Sequence, residues 1–194
     1  MQTPPNKFAP FELGNLLIGH AGATIESVLV GDILRVTYEF PRVGIFRSSL
    51  LGQQNIELSA DSGEIAYFEA VMHEGLSIGL VSHRGIARAE DYYSSRWLGY
   101  ASGGLGWNAN GYINSFLDGV RCACRVPDLK ANAGDRMGMM VDCSSEPTLR
   151  FFVNGSQVHY LCVGEDGYQD RVFPAFHLHN AEIEIISNPE LPHI

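Results

Sequence analysis

The sequence predicts an all-β protein, an antiparallel β-sandwich of two sheets with little helix. Three observations predict it. Apolar residues recur at every second position over short runs, as in 33–40, where Leu34, Val36, Tyr38 and Phe40 share one face and Arg35, Thr37 and Glu39 the other. Turn signals separate these runs at short intervals, and 21 of the 194 residues are glycine. No stretch promises more than a turn or two of helix, residues 86–94 being the candidate.

Taken in order, Pro41 ends the 33–40 strand. A short alternation follows at 55–59, then a strand at 65–72 that contains Tyr67-Phe68-Glu69. His73-Glu74-Gly75 turns the chain, and 76–81 is predicted to pair back on 65–72 as its antiparallel partner. Residues 82–106 read as a long polar and aromatic region. Further strands are predicted near 111–116, 120–125, 137–142, 148–153, 157–163, 173–178 and 182–187. The strongest local signal is Leu149-Arg150-Phe151-Phe152-Val153-Asn154-Gly155. Asn-Gly after β-formers predicts a type I′ hairpin, which needs positive φ at both central residues. Leu149, Phe151 and Val153 then form a core stripe, while Arg150 and Phe152 face the surface or a second layer. Gly134-Asp135 makes a turn before a strand, and Gly79 and Gly138 leave room for close backbone or aromatic packing.

Composition bounds the function. The chain is 45% hydrophobic and 18% charged, with net charge −9. That acidity argues against nucleic acid and anionic membrane surfaces as partners. No basic region followed by an apolar core opens the sequence, and no run approaches the roughly 20 apolar residues of a membrane helix. The expected location is cytoplasmic and the expected state monomeric. Cys122, Cys124, Cys143 and Cys162 contain no Cys-x-x-Cys pair and read as reduced thiols. A zinc site from Cys122, Cys124, His177 and His179 is the disfavoured alternative, because structural sites space their ligands more widely. No cofactor is expected.

The order of motifs resembles a SPRY domain. Tyr67-Phe68-Glu69 is followed by Ile78-Gly79-Leu80, Gly106-Trp107, Gly134-Asp135, Met137-Gly138, Val141-Asp142, the Phe-Phe-Val-Asn-Gly hairpin and Phe173-Pro174-Ala175-Phe176. The resemblance implies a concanavalin-like jelly-roll, with a core over 53–189, an N-terminal extension over 1–52 that adds strands, and a tail over 190–194. It departs from the family at Ile186-Ser187-Asn188-Pro189, where an Asn-Phe-Gly-like segment often stands. The resemblance further implies a non-enzymatic module that binds a short peptide or a protein surface through loops at one end of the sandwich, as an adaptor.

Enzyme signatures are weak. Gly75-Leu76-Ser77-Ile78-Gly79 fits a nucleophile elbow, and Asp142 with His177 or His179 would complete a triad order. That motif needs a strand, a sharp turn and a helix, whereas Ser77 lies inside an apolar strand-like run. Glu182 and Glu184 alternate with Ile183 and Ile185 as the solvated face of a strand. Loops are the better place for function. The region from Arg84 to Asn110 holds Arg84, Arg88, Tyr92, Tyr93, Arg96, Trp97, Tyr100 and Trp107, the residue types that dominate interface hot spots. Arg84, Tyr92, Tyr93, Arg96, Trp97, Tyr100, Asn110 and Tyr168 are the partner-binding candidates, with Trp107 and Tyr112 expected to pack inside. Second candidate loops lie at 144–147 and 164–168. The rival readings are a carbohydrate-binding sandwich using Tyr and Trp platforms and, less favoured, a Ser77 hydrolase.

Overall fold

The computed structural model describes residues 13–18, 24–39, 48–52, 55–59, 61–72, 75–82, 98–99, 103–117, 120–163, 171–178, 182–186 and 189–192. Among them every regular element is a strand. In chain order these are β1 (Leu13–Ile18), β2 (Thr24–Val30), β3 (Ile33–Glu39), β4 (Ser48–Gly52), β5 (Ile56–Glu57), β6 (Ile65–Val71), β7 (Ser77–Ser82) and β8 (Gly104–Asn108). Then come β9 (Asn110–Leu117), β10 (Val120–Lys130), β11 (Arg136–Asp142), β12 (Thr148–Val153), β13 (Ser156–Cys162), β14 (Arg171–Leu178) and β15 (Glu182–Ile186). Sheet A runs β1-β4-β14-β7-β8-β9-β10, with β5 also pairing β14; sheet B runs β13-β12-β11-β6-β15-β3-β2. The pairings within both are antiparallel, so the predicted two-sheet sandwich is what forms.

Alternation places the core between the sheets. Val36, Phe68, Ala70, Met137, Met139, Leu149, Phe151, Ile183 and Ile185 point inward from sheet B. They meet Ile78, Leu80, Leu105, Trp107, Ile113 and Phe176 from sheet A. Trp107 joins the layers: its ring stands edge-on to Phe151 at 5.6 Å, and its Nε1 donates to the Leu129 carbonyl at 2.9 Å. Phe68 and Phe176 make a second edge-on pair across the sandwich at 5.9 Å.

The Asn-Gly hairpin forms as predicted. Asn154 has φ 51° and Gly155 φ 77°, and Val153 faces Ser156 across the turn. Asn154 also ties the hairpin to the start of β11. Its Oδ1 accepts from the Arg136 N–H at 2.9 Å, and its Nδ2 donates to Asp135 at 2.8 Å. Asp135 accepts in turn from the Asn132 N–H at 2.7 Å, so the Gly134-Asp135 turn and the hairpin are one hydrogen-bonded unit.

Phe152 is in a second layer. On the outer face of sheet B it packs edge-on to Tyr67 at 5.5 Å, beside Met140, with Ile65 and Leu191 against the cluster. The Tyr67 ring lies over Gly138, where any Cβ would strike it. Its hydroxyl donates to Glu69 Oε1 at 3.2 Å. Burial pushes the Glu69 carboxyl above its usual range, and the Arg136 guanidinium 3.8 Å away and the Tyr67 hydroxyl offset this only in part. A carboxyl raised in the folded state binds more protons folded than unfolded. Its protonated form therefore stabilises the fold below the ordinary carboxylate pKa, and that contribution is lost as pH rises through the raised value. Glu69→Gln should gain stability relative to the wild type as pH rises from the ordinary carboxylate range toward neutrality. Urea melts across that range check it; a constant difference would mean an unperturbed carboxyl.

Several elements depart from the sequence reading. β7 does not pair with β6. The turn at Gly75 carries the chain from sheet B to sheet A, where β14 and β8 flank β7, while β11 and β15 flank β6. A turn between two apolar runs looks the same in sequence whether it closes a hairpin or crosses between layers. The sequence reading placed no strand at β8 and gave no positions for β1, β2 and β4, although strands were expected from residues 1–52, and β10 continues through Pro127 to Lys130. β10 is an edge strand, where a missing N–H is tolerated. Pro174 sits deeper, in β14, but at the interval between the β5 pairing at 171–172 and the β4 pairing at 175–178. The helical turn expected at 86–94 lies outside the described residues.

Candidate functional site

The outer face of sheet A carries a polar strip. Ser77 pairs with His177 on one side and Asn108 on the other, and Tyr112 pairs with Arg125. The β8–β9 register, with Trp107 opposite Ile113, brings Asn108 beside Tyr112. One cross-strand row thus reads His177, Ser77, Asn108, Tyr112, Arg125. It is buried at one end, with His177, Ser77 and Asn108 at most 3% exposed, and open at the other, with Tyr112 40% exposed. The Ser77 hydroxyl donates to Asn108 Oδ1. At the open end the Arg125 guanidinium lies 5.6 Å from the centre of the Tyr112 ring.

The adjacent row is made of small residues: Ala175, Gly79, Gly106, Asn114 and Ala123. Leu98 and Gly99 lie in the trough this row forms. A Cβ on Gly106 would strike Leu98, and one on Gly99, which has φ 85°, would strike the Asn114 carbonyl. Leu98 is only 1% exposed. Asn114 is itself 7% exposed, and its Nδ2 has no hydrogen-bond partner.

These positions decide several expectations. Ser77 is fully buried within a strand and its hydroxyl is spent on Asn108, so the Gly-x-Ser-x-Gly match is no nucleophile elbow. Asp142 belongs to sheet B, where it accepts from Ser144 and Arg150. Burial works against its charge, but those donors prevail and lower its pKa. Glu184 takes the Arg35 guanidinium at its Oε1, with Nε at 3.2 Å, as a strand-face ion pair. Cys124 lies on β10 at the far edge of sheet A from His177, and no group of three metal-ligating side chains occurs among the described residues.

Of the partner-binding candidates, Asn110 is described. It opens β9 opposite Lys130 and is exposed. Arg84, Tyr92, Tyr93, Arg96, Trp97, Tyr100 and Tyr168 lie outside the described residues, as do Arg88 and the 164–168 loop. The 144–147 loop is tied down: Ser144 bonds Asp142, and Pro147 accepts from the Val163 N–H at 2.9 Å. Trp107 is packed as expected, but Tyr112 is not. Its row runs to the uncovered edge of the sheet, where a phenol keeps its hydroxyl in water. Arg125 was passed over in the sequence, although the alternation of Arg121, Ala123 and Arg125 against Cys122, Cys124 and Val126 marks an outward face.

No protein-family model and no curated protein matches this chain. Solved structures do. A human SPRY domain superposes with TM-score 0.53 at 22% identity, over 88% of this chain and 100% of that one. The fold is that of a SPRY domain. The TRIM65 PSpry domain gives TM-score 0.49 at 13% identity, over 70% of this chain and 67% of that one. The Emp47p carbohydrate recognition domain gives 0.48 at 14% identity, over 84% of each. Within this SPRY-like fold, Tyr67-Phe68-Glu69 alternates between the outer cluster and the core. The Phe-Phe-Val-Asn-Gly hairpin and Trp107 are scaffold: their aromatic side chains are fully buried.

Proposed function

We propose that this chain is a non-enzymatic binding module, of cytoplasmic adaptor type, that holds a short segment or surface of a partner protein on the outer face of sheet A. The observation that carries this reading is the Tyr112–Arg125 pair. A cation held over an exposed aromatic ring offers an apolar platform and a planar set of donors at one spot. Among the described residues no carboxylate pairs with Arg125. Its donors are available for peptide carbonyls or a carboxylate. Asn110, on the same strand, adds an exposed amide. Leu98 and Gly99 rest on this face and directly follow Arg96 and Trp97 in the chain, which supports including those two residues in the surface. The buried Ser77 hydroxyl supports the non-enzymatic part.

The test is affinity purification with mass spectrometry, followed by titration of the captured partner. Arg125→Ala, Tyr112→Ala and a Trp97→Ala/Arg96→Ala double variant should each weaken it by about 1–3 kcal/mol, roughly 5- to 150-fold in Kd, without changing the melting temperature. Unchanged affinity in all three would move the site elsewhere. Binding to a glycan array with no protein captured would favour the carbohydrate-binding alternative.

A further inference from the structure

We infer that β2 is a pairing edge through which two copies of this chain join sheet B to sheet B. An edge strand exposes a row of unpaired backbone donors and acceptors, and proteins blunt such edges with prolines, positive charges or bulges. Three of the four outer strands here do so or are irregular. β10 carries Arg121, Arg125, Pro127 and Lys130 and slips register between Arg125 and Lys130. β13 slips register against β12 between Phe151 and Phe152, and β1 slips against β4 between Leu13 and Leu17.

β2 has no proline, no positive charge and no bulge, and Glu26 is its one charged residue. It pairs with β3 in unbroken register over seven residues, from Thr24 opposite Glu39 to Val30 opposite Ile33. Its sequence, Thr-Ile-Glu-Ser-Val-Leu-Val, contains no proline, lysine or arginine. Among the described strands it pairs with β3 alone. Val28, Leu29 and Val30 are 57%, 61% and 65% exposed, three consecutive apolar residues on both faces of one strand. Leu29 stands opposite Leu34, which packs against the core, so Leu29 is on the inward side and still uncovered.

The strand's own sequence names the occupant. In an antiparallel pairing of two β2 strands centred on Ser27, Leu29 opposes Ile25 of the second copy, Val30 opposes Thr24 and Val28 opposes Glu26. Each of these three pairs occurs twice about a twofold axis that passes through the Ser27 pair, as an isologous interface requires. All seven residues are used, Leu29 meets Ile25 and Val30 meets Thr24 as β-forming pairs, and no two carboxylates face each other, Glu26 standing opposite Val28. A register centred on Leu29 would set Glu26 against Asp32 and is disfavoured. The dimer departs from the monomer expected from sequence alone, and it lies on sheet B, apart from the Tyr112–Arg125 surface on sheet A.

Sedimentation velocity over a concentration series tests this, read together with amide hydrogen exchange of residues 24–30. The wild type should dimerise, with β2 amides gaining protection as concentration rises. Leu29→Lys, at an already exposed position, should keep the fold and weaken dimerisation at least about tenfold. Tyr160→Lys, on the β13 edge and equally exposed, should leave dimerisation unchanged. A wild type that stays monomeric up to about 100 µM, well above the micromolar Kd of a modest interface, overturns the inference. So does a dimer that Leu29→Lys leaves intact, or one whose β2 amides exchange independently of concentration.

Discussion

Trp107→Ala should cost about 3–5 kcal/mol of folding stability, the range for deleting a fully buried large aromatic. Trp107 is 0% exposed, and three losses coincide there. The edge-on contact with Phe151 disappears, which couples sheet A to sheet B. A cavity of indole size opens at the centre of the core, with two sheets on either side that cannot close over it. The Leu129 carbonyl, buried on β10, loses its donor and bears the desolvation cost of an unpaired acceptor. Trp107→Phe separates these effects: it keeps most of the volume but not the donor, and should cost less than half as much. Equilibrium urea unfolding measures both. A Trp107→Ala loss below about 1 kcal/mol would mean that the core collapses freely around the site.

Gly79→Ala should be as damaging for one methyl group. The added Cβ would land on the Leu105 carbonyl of the neighbouring strand, a backbone atom held in the ladder between β7 and β8. A flexible side chain could turn away, but a paired backbone cannot move without parting the strands. The expected outcome is a loss of about 3 kcal/mol or more, or insoluble protein. Gly134→Ala serves as the comparison. Its Cβ would meet nothing within 4 Å, so it should cost only the strain of its positive φ, about 1 kcal/mol. Equal losses in the two variants would refute the steric account.

What was legible in the sequence, and what was not, follows from how each feature is encoded. The Asn154-Gly155 turn, the alternation of β12 and the tight packing at Gly79 and Gly138 are local, so a few adjacent residues specify them. Which strands pair is not local. The 65–72 and 76–81 runs gave no sign that they enter different sheets, because the partners that separate them, β11, β15, β14 and β8, lie up to 120 residues away in the chain. β8 was hidden for another reason. Gly104-Leu105-Gly106-Trp107-Asn108 has glycines where a strand usually carries β-branched residues. Gly106 is needed because Leu98 crosses sheet A at that point. Tyr112 was misplaced because a sequence shows that a residue alternates outward but not whether anything covers that face. The row that joins it to Arg125, Asn108 and Ser77 exists only in the register.

The position of the last two strands has a consequence for when this chain can fold. β14 is flanked in sheet A by β4 and β7, and β15 in sheet B by β3 and β6, so the last two of the described strands are both interior. Neither sheet is continuous until residues 171–186 have left the ribosome. Before then β3 and β6 each present an open edge, and so do β4 and β7. Synthesis at about 5–20 residues per second keeps those edges waiting for several seconds, an interval in which nascent chains depend on chaperones. Pairings this distant in sequence also close slowly once available, because the loop entropy is spent before any contact repays it. A chain stopped short of β14 would hold most of the core residues and still have no sandwich to put them in.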